Sequence, residues 1–494
     1  MKKVPFYVII SGQSLICRLR SYQYFNFTTK EGFILKKQSD ISQSGNPLGS
    51  APVGGLIAKF AIPAIISMLV SALYNIVDQI FIGQGVGMLG NAATNIAFPV
   101  TIVSTAAALL LGIGSASNYN LEMGAGNEKK ASSIAGTGLS SLVIFGTVIT
   151  VVVLIFLKPL LHIFGGTPDV MPYATDYMGI TAIGLPFYVL SIGGGHLIRA
   201  DRSPTYSMFC TLIGAVINTV LDPLFIFGFG WGIKGAAWAT VTGQVISAFL
   251  VVFYFCRLRK MYLDRSMLIP RQHNLAAIFS LGLASCINQL AIAAVQIAMN
   301  NVLRHYGAES VYGSDIPIAC AGIISKVNQV FMAICIGISQ GSQPIWGFNY
   351  GAEKYGRVRE TYRCSVTLCT VIATVFFVCF QFFPHQIVGI FGNGSDLYFQ
   401  FAERYLRIFM FMTFANGIQP MSSGFFTSIG KAKLGVIMSL TRQVIFLLPM
   451  ILIFPLFMGI DGVMYAGPIA DTAAFVLAVV FARRELDIMK SSEP

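Results

Sequence analysis

The chain has 494 residues, of which 55% are hydrophobic and only 11% are charged, and its mean hydropathy is +0.70. Because a soluble domain carries about a quarter charged residues, this composition excludes a water-soluble enzyme of this length. The net charge is +12, but the basic residues stand between long apolar runs, as they do in the loops of membrane proteins. We therefore expect an integral membrane protein rather than a water-soluble enzyme, with no nucleic-acid partner.

Residues 1–50 are polar and mixed and precede the first long apolar segment. The apolar stretch 4–17, which follows Lys2 and Lys3, resembles the hydrophobic core of a signal peptide. Polar residues at positions 11–14 interrupt it. The sequence therefore favours a flexible cytoplasmic extension over a cleaved signal.

Twelve apolar segments follow, each long enough to span about 30 Å of hydrocarbon at about 1.5 Å per residue. They are continuous and lack the alternation of a membrane β-barrel, so they predict an all-α bundle of twelve transmembrane helices. The predicted spans, numbered 1 to 12 in chain order, are 56–82, 92–116, 131–157, 171–198, 205–228, 234–256, 275–303, 316–345, 364–384, 399–427, 433–458 and 461–482.

Lys and Arg are distributed unevenly between the two ends of this bundle. The loops after spans 2, 4, 6, 8, 10 and 12 hold most of them, and we call this the basic end. The opposite end holds only Lys158, Lys234 and Arg304. Because Lys and Arg accumulate in cytoplasmic loops, we expect a cell-membrane protein with both termini in the cytoplasm.

Several kinds of site have no matching motif. The nine Cys show no CxxC spacing, the five His show no metal-binding spacing, and no GxxxxGK[ST] loop occurs. We therefore expect no disulfide framework, no zinc site, no ATP hydrolysis and no bound cofactor.

An internal repeat divides the chain into two halves. Gly112-Ile-Gly-Ser recurs as Gly337-Ile-Ser-Gln at an offset of 225, and the segment that begins at Gly232 recurs at Gly459 at an offset of 227. Six spans per half is an even number, so the halves are parallel repeats about an axis along the membrane normal. This predicts two six-helix lobes around a cleft. Such an arrangement suits a carrier whose lobes rock and expose the cleft to either side of the membrane in turn. A rigid duplicated scaffold is the alternative. The predicted parts are an extension (1–50), an N-terminal lobe (51–258), a cytoplasmic linker (259–274), a C-terminal lobe (275–485) and a cytoplasmic tail (486–494).

Polar side chains in the first half lie at a common depth. Asp78 of span 1, Asp222 of span 5 and Thr240 of span 6 are each five or six residues from the outer boundary of their span, roughly 8–9 Å below the surface. Asn218 precedes Asp222 by one helical turn, and Ala236 precedes Thr240 by one turn. These groups predict an oxygen cage for a small cation such as Na+, or a proton-binding carboxylate pair. A purely structural pair near the interface is the alternative.

The second half places Lys326 of span 8, Arg442 of span 11 and Asp471 of span 12 close to the midplane. An ionisable group at that depth costs about 2.5–3.5 kcal/mol, so each needs a reason. We expect a Lys326–Asp471 ion pair, which is either architectural or functional. In the functional case, Asp471 attracts a cationic substrate or Lys326 exchanges its partner during transport.

Several separated motifs resemble the multidrug and toxic compound extrusion (MATE) family, and most of all its DinF/MepA-like branch. The resemblance covers about residues 48–485. The motifs that carry it are the run from Pro63 to Gly83, Asn218-Thr-Val-Leu-Asp222-Pro, Gly235-Ala-Ala-Trp-Ala-Thr240 and Gly337-Ile-Ser-Gln-Gly-Ser-Gln-Pro344.

The resemblance implies two six-helix lobes and an antiporter that expels organic, often cationic and amphipathic, drugs or toxins in exchange for H+ or Na+. It also implies that Asp78 carries the coupling ion and that four further residues belong to the same site: Asn218, Asp222, Ala236 and Thr240. The chain departs from the NorM-like branch, which has a carboxylate in the first span of its second lobe where this chain has Asn300 and Asn301. We therefore expect coupling in the first lobe only.

The remaining expectations concern partners and competing functions. We expect a monomer in contact with membrane lipids. A flippase or exporter of a lipid-linked or polar metabolite is the alternative on the same architecture, and a channel or non-transporting receptor is the alternative from another class.

Overall fold

The computed structural model describes residues 46–313, 315–390 and 395–492, which form a bundle of long helices. Eleven helices in this part of the chain are long and apolar enough to cross a membrane. Span 10 is the twelfth crossing and is broken into short helices. The all-α membrane fold is therefore confirmed. Most of the predicted extension, residues 1–45, and the last two residues of the predicted tail lie outside the described residues.

The helix bounds follow the predicted order. The twelve spans are Val53–Gly85, Met88–Gly124, Glu128–Ile155, Met171–Ala200, Pro204–Gly228, Gly232–Leu258, Gln272–Ala308, Asp315–Gly351, Tyr355–Phe382, the three pieces Asp396–Phe409, Thr413–Asn416 and Ile418–Ser428, then Ala432–Met458 and Ile460–Ser491. Spans 5, 6 and 11 contain π-helical turns at Leu224–Gly228, Tyr254–Leu258 and Thr441–Leu447. The short helices outside the spans are Pro47–Ser50, Leu157–Ile163, Arg265–Leu268 and Pro384–Gly389.

Several helices extend past the apolar segments that predicted them. Span 2 was predicted as 92–116, but its helix has 37 residues and is about 55 Å long at about 1.5 Å per residue. It therefore projects beyond the hydrocarbon, which is about 30 Å thick. Apolar runs mark where a helix is in lipid, whereas its polar ends carry no such signal.

Span 10 differs from the single predicted helix because its backbone breaks at residues 410–412 and again at Gly417. Asn416 and Gly417 are weak helix formers. The Asn416 side chain is buried and donates a hydrogen bond to Asp471 at 3.2 Å, while Gly417 lies against Cys369. Irregular backbone at membrane depth is stable only where protein surrounds it, which is the situation of this buried break.

The two halves, spans 1–6 and spans 7–12, pack closely near the basic end. Gly114 of span 2 lies against the backbone of Ile278, and Gly282 of span 7 lies against the backbone of Leu110. Gly341 of span 8 lies against span 1 in the same way, since an added Cβ there would be 2.5 Å from a Cα atom of span 1. Only glycine permits backbones to approach this closely, so these positions set the distance between the halves.

Hydrogen bonds reinforce this closed end. We call residues 46–51, which precede span 1, the entry segment. Arg357 donates to the carbonyls of Leu48 and Ala51 at 3.2 and 2.7 Å, Asn349 donates to Leu48 O at 2.9 Å, and Lys354 donates to Gly49 O at 3.1 Å. The entry segment of the first half is therefore held by side chains of the second half.

The same helix faces separate towards the opposite end. On span 8, the face that carries Gly337 and Gly341 continues into Lys326 and Gln329, which are exposed. On span 7, the face that carries Gly282 continues into Gln296 and Asn300, also exposed. A cleft with polar walls therefore lies between the halves at the end that is poor in Lys and Arg.

Candidate functional site

Two carboxyl groups meet inside the first half. Asp78 lies in the last third of the continuous helix of span 1 and is 8% exposed, while Asp222 of span 5 is fully buried. The two groups lie side by side, within hydrogen-bonding reach of each other. Adjacent buried carboxylates cannot both stay ionised without a countercharge. The pair therefore requires a proton or a cation.

Asn218 and Thr240 complete the cluster. Asn218 Nδ2 donates to Asp222 Oδ1 and to Thr240 Oγ1, both at 3.3 Å. The first bond follows from the one-turn spacing on span 5, and the second ties span 5 to span 6. Pro223 ends the regular helix immediately after Asp222, and a π-helical turn follows. The structure thus brings together the three residues that the sequence placed at one depth and Asn218, which precedes Asp222 by one turn.

Three buried oxygen atoms of the cluster have no hydrogen-bond partner among the described residues: Asp78 Oδ1, Asp222 Oδ2 and Asn218 Oδ1. All three are acceptors, and a buried acceptor without a partner costs about 1–3 kcal/mol. Carboxylate and amide oxygens are the ligands that hard cations bind. This donor set fits a small cation, and a proton shared by the carboxyl groups would satisfy part of it.

Ala236 is buried and contributes no polar side-chain atom. It packs with Ile82, Ile226 and Ile233 in an apolar cluster between spans 1, 5 and 6. Its methyl group lets span 6 approach span 5, next to Gly235, where an added Cβ would be 2.8 Å from the backbone of Phe225. Ala236 therefore seals one side of the polar cluster.

Sequence reasoning missed two tyrosines beside the cluster. Tyr74 precedes Asp78 by one helical turn, so the i, i+4 spacing that linked Asn218 to Asp222 could also have found it. The Tyr177 hydroxyl of span 4 lies within hydrogen-bonding reach of Thr240. No local pattern links Tyr177 to the cluster, because only the packing of span 4 brings it there.

A cavity of about 160 Å³ adjoins the cluster between spans 1, 4, 5 and 6. Its lining includes Asn75, Asn218, Thr240 and Gln244. Drug-sized ligands occupy about 300–1,000 Å³, so this cavity suits an ion with a few waters rather than a drug. Asn75 is exposed on the cleft side of span 1, so the cavity and the cleft meet there.

The second half has no equivalent cluster. At the repeat offsets of 225 and 227, Asp78 corresponds to Leu303, Asn218 to Ile445 and Asp222 to Pro449. Apolar side chains at these positions bind neither a proton nor a cation. The duplicated architecture therefore carries this polar constellation once, in the first half.

The expected Lys326–Asp471 ion pair is wrong. Asp471 Oδ1 accepts from Arg442 Nε at 2.5 Å, and both side chains are buried. The π-helical turn of span 11 contains Arg442 and turns it towards span 12. Lys326 is exposed, on the cleft face of span 8, and makes no ion pair within the described ranges. The orientation of spans 8 and 11 about their own axes determines which cation Asp471 binds, and hydropathy carries no information about that orientation.

Relatives of similar length extend over most of the chain. The chain is 24% identical over 446 residues to the multidrug export protein MepA of Staphylococcus aureus (strain MSSA476), covering 90% of this chain and 97% of that protein. It is also 24% identical over 440 residues to MepA of Staphylococcus saprophyticus, covering 87% and 94%.

Solved structures match the fold. One, described as the outward-facing conformation of a multidrug resistance MATE family transporter of the MOP superfamily, matches with a TM-score of 0.84 at 23% identity and covers 91% of this chain and 99% of that one. A MOP superfamily transporter from Pyrococcus furiosus matches with a TM-score of 0.83 at 22% identity over 90% and 98%. The MatE family model matches residues 63–224 and 284–453, one segment in each half. The chain therefore belongs to the MatE family of membrane transporters, as the motifs around Asp78 and Asp222 indicate, and is not an enzyme.

Proposed function

We propose that this chain is an antiporter that exports organic compounds, including drugs and toxins, in exchange for H+ or Na+. The single observation that carries the proposal is the side-by-side pair Asp78–Asp222, with three buried acceptor atoms that have no partner among the described residues. The relatives named as multidrug export proteins support the cargo class. The ion needs no other cofactor.

In this proposal, the ion and the cargo compete through the two arrangements of the halves. A bound cation or proton compensates one of the two charges of the Asp78–Asp222 pair. When it leaves, the two carboxylates repel each other; in general, two unit charges about 4 Å apart repel by about 4 kcal/mol at an effective dielectric constant of about 20. Coupling follows if this repulsion favours one arrangement of the lobes over the other. The closed basic end and the cleft at the opposite end correspond to one of the two arrangements.

The topology belongs to the proposal as well. The lobes are residues 51–258 and 275–485, joined by the linker 259–274, and the protein acts as a monomer in the cell membrane. Because the basic end carries the entry segment and the end of span 12, both termini face the cytoplasm. The cleft then opens to the outside, where cargo is released.

The test is transport by purified protein in proteoliposomes, with Na+ and pH gradients imposed separately and ethidium as the cargo. We expect one gradient to drive ethidium transport in the native chain and in Asp176→Asn. Asp176 is a matched control, because it is a half-buried acid of the same half that pairs with Lys234 at 3.3 Å and not with a residue of the cluster. Asp78→Asn and Asp222→Asn should abolish the response to the gradient.

Gradient-driven ethidium transport in Asp78→Asn would contradict the proposed coupling site. Failure of the native chain to move both ethidium and a carboxylate-bearing dye under either gradient would contradict drug antiport. Flipping of a lipid-linked probe by that same preparation would then identify the alternative, a flippase built on the same fold.

A further inference from the structure

Lys326 is the one midplane cation of the second half that the ion-coupling site and the buried ion pair leave unused. It lies about ten residues into span 8 and is exposed, with no ion pair in the part of the chain that the structure describes. A lysine at this depth is costly in lipid and persists where it faces water or a partner. The direction in which it faces therefore decides its role.

Helical register places Lys326 on the cleft and not on lipid. Gly337 follows it by about three turns of 3.6 residues, and an added Cβ at Gly337 would be 2.7 Å from the Cα of Ile65 in the first half. The opposite side of span 8, with Phe331 and Ile338, is packed in the core of the second half. Lys326 therefore lies on the side of span 8 that faces the first half, at a position where its side chain is exposed.

Uncharged amides share the second half's wall of the cleft with Lys326. Gln329 follows one turn later on the same face of span 8 and is exposed. Gln296 and Asn300 of span 7 are exposed and joined by a hydrogen bond of 3.1 Å. Amide groups donate and accept hydrogen bonds without changing the local charge, so at the depth of Lys326 this wall presents one positive charge among polar groups.

No described carboxylate neutralises this charge. Asp471, the acid at the same depth in the second half, is buried and binds Arg442. Asp78 and Asp222 are buried in the first half and interact with each other. A cargo molecule in the cleft would meet the Lys326 ammonium group, and that group is repelled by cations and attracted by oxyanions.

We propose that Lys326 binds the anionic group of the cargo, so that this chain exports amphiphiles that carry a carboxylate or another oxyanion, including zwitterions. The proposal rests on the export function given above and specifies its substrate class. Lys326 donates to the oxyanion, Gln329 and Asn300 offer additional amide donors, and the apolar part of the cargo occupies the rest of the cleft. The lysine then sets specificity without taking part in ion coupling.

The test uses two dyes that differ in one group, a rhodamine with a free carboxylate and its methyl ester. Binding to the purified protein in detergent is measured by fluorescence polarisation, and transport is measured in proteoliposomes. We expect the native chain to bind the carboxylate dye more tightly than the ester. In Lys326→Gln, the Kd of the carboxylate dye should rise about tenfold, the loss of one charge-assisted hydrogen bond, while the Kd of the ester changes less than twofold.

Lys326→Glu supplies the reversed charge and should bind the ester more tightly than the carboxylate dye. The control is Lys158→Gln, which removes an exposed lysine outside the cleft and should leave both Kd values unchanged. Equal changes for the two dyes in Lys326→Gln, or an unchanged preference in Lys326→Glu, would overturn the proposal. Gradient-driven transport of the ester by Lys326→Gln would show that the export function is intact. Failure of the Lys326 proposal can therefore be distinguished from failure of the proposed export function.

Discussion

The ion pair between Arg442 and Asp471 gives a quantitative prediction about stability. Arg442 is 7% and Asp471 4% exposed, and Asp471 also accepts from Asn416 at 3.2 Å. Asp471→Leu would leave a buried guanidinium without a countercharge. Breaking such a pair on one side costs about 3–5 kcal/mol, so we expect Asp471→Leu to lower the free energy of unfolding by that amount.

A second substitution should reverse most of this loss. Adding Arg442→Met to Asp471→Leu removes the buried charge and leaves only the Asn416 amide without an acceptor, which costs about 1–3 kcal/mol. The double variant should therefore be more stable than Asp471→Leu alone. Lys326→Met should change the free energy of unfolding by less than about 0.5 kcal/mol, because Lys326 is exposed and unpaired within the described residues.

The assay is thermal unfolding in detergent micelles, followed by a fluorophore that reacts with thiols. Cys210, Cys320, Cys335 and Cys369 are buried and free, so they become reactive only as the chain unfolds. If the double variant were less stable than Asp471→Leu, or if Lys326→Met were as unstable as Asp471→Leu, the assignment of Arg442 as the partner would be refuted.

Three further predictions concern the basic end. Gly282→Ala places a Cβ where the backbone of the other half lies, so thermal unfolding should show a loss of about 1–3 kcal/mol in the free energy of unfolding. The control Gly322→Ala, whose Cβ meets nothing within 4 Å, should leave that free energy unchanged. Equal losses in the two variants would contradict the packing argument. Arg357→Gln removes two hydrogen bonds to the entry segment and should increase the rate of limited proteolysis there about tenfold. The control Arg363→Gln changes an exposed arginine and should leave that rate unchanged. Equal cleavage rates in the two variants would show that Arg357 does not hold the segment. Burial raises the pKa of the Asp201 carboxyl above its usual range, so its contribution to stability is lost as the pH rises through that pKa. In denaturant unfolding, the free energy of unfolding of the native chain should therefore increase relative to that of Asp201→Asn as the pH falls from about 7 towards about 4. Parallel pH profiles of the two proteins would refute this.

The sequence was informative about the polar cluster because the relevant signals are local. Depth follows from counting residues to the end of a span, and a shared face follows from a spacing of four. These two rules identified Asp78, Asn218, Asp222 and Thr240, which the structure places together. Tyr177 was missed, since its span contacts the cluster only through tertiary packing.

By itself, the sequence determined the class of protein, the number and order of the membrane crossings, the duplication, the family and the four polar residues of the cluster. Composition and periodicity are properties of short segments, so they do not depend on what those segments pack against. Tertiary structure alone decided that Asp471 binds Arg442, that span 10 breaks at Gly417, that the halves meet at the basic end and that Lys326 faces the cleft. The first and last of these depend on how a helix is rotated about its axis, and the other two depend on what packs against the helix. Nothing within a single segment specifies either.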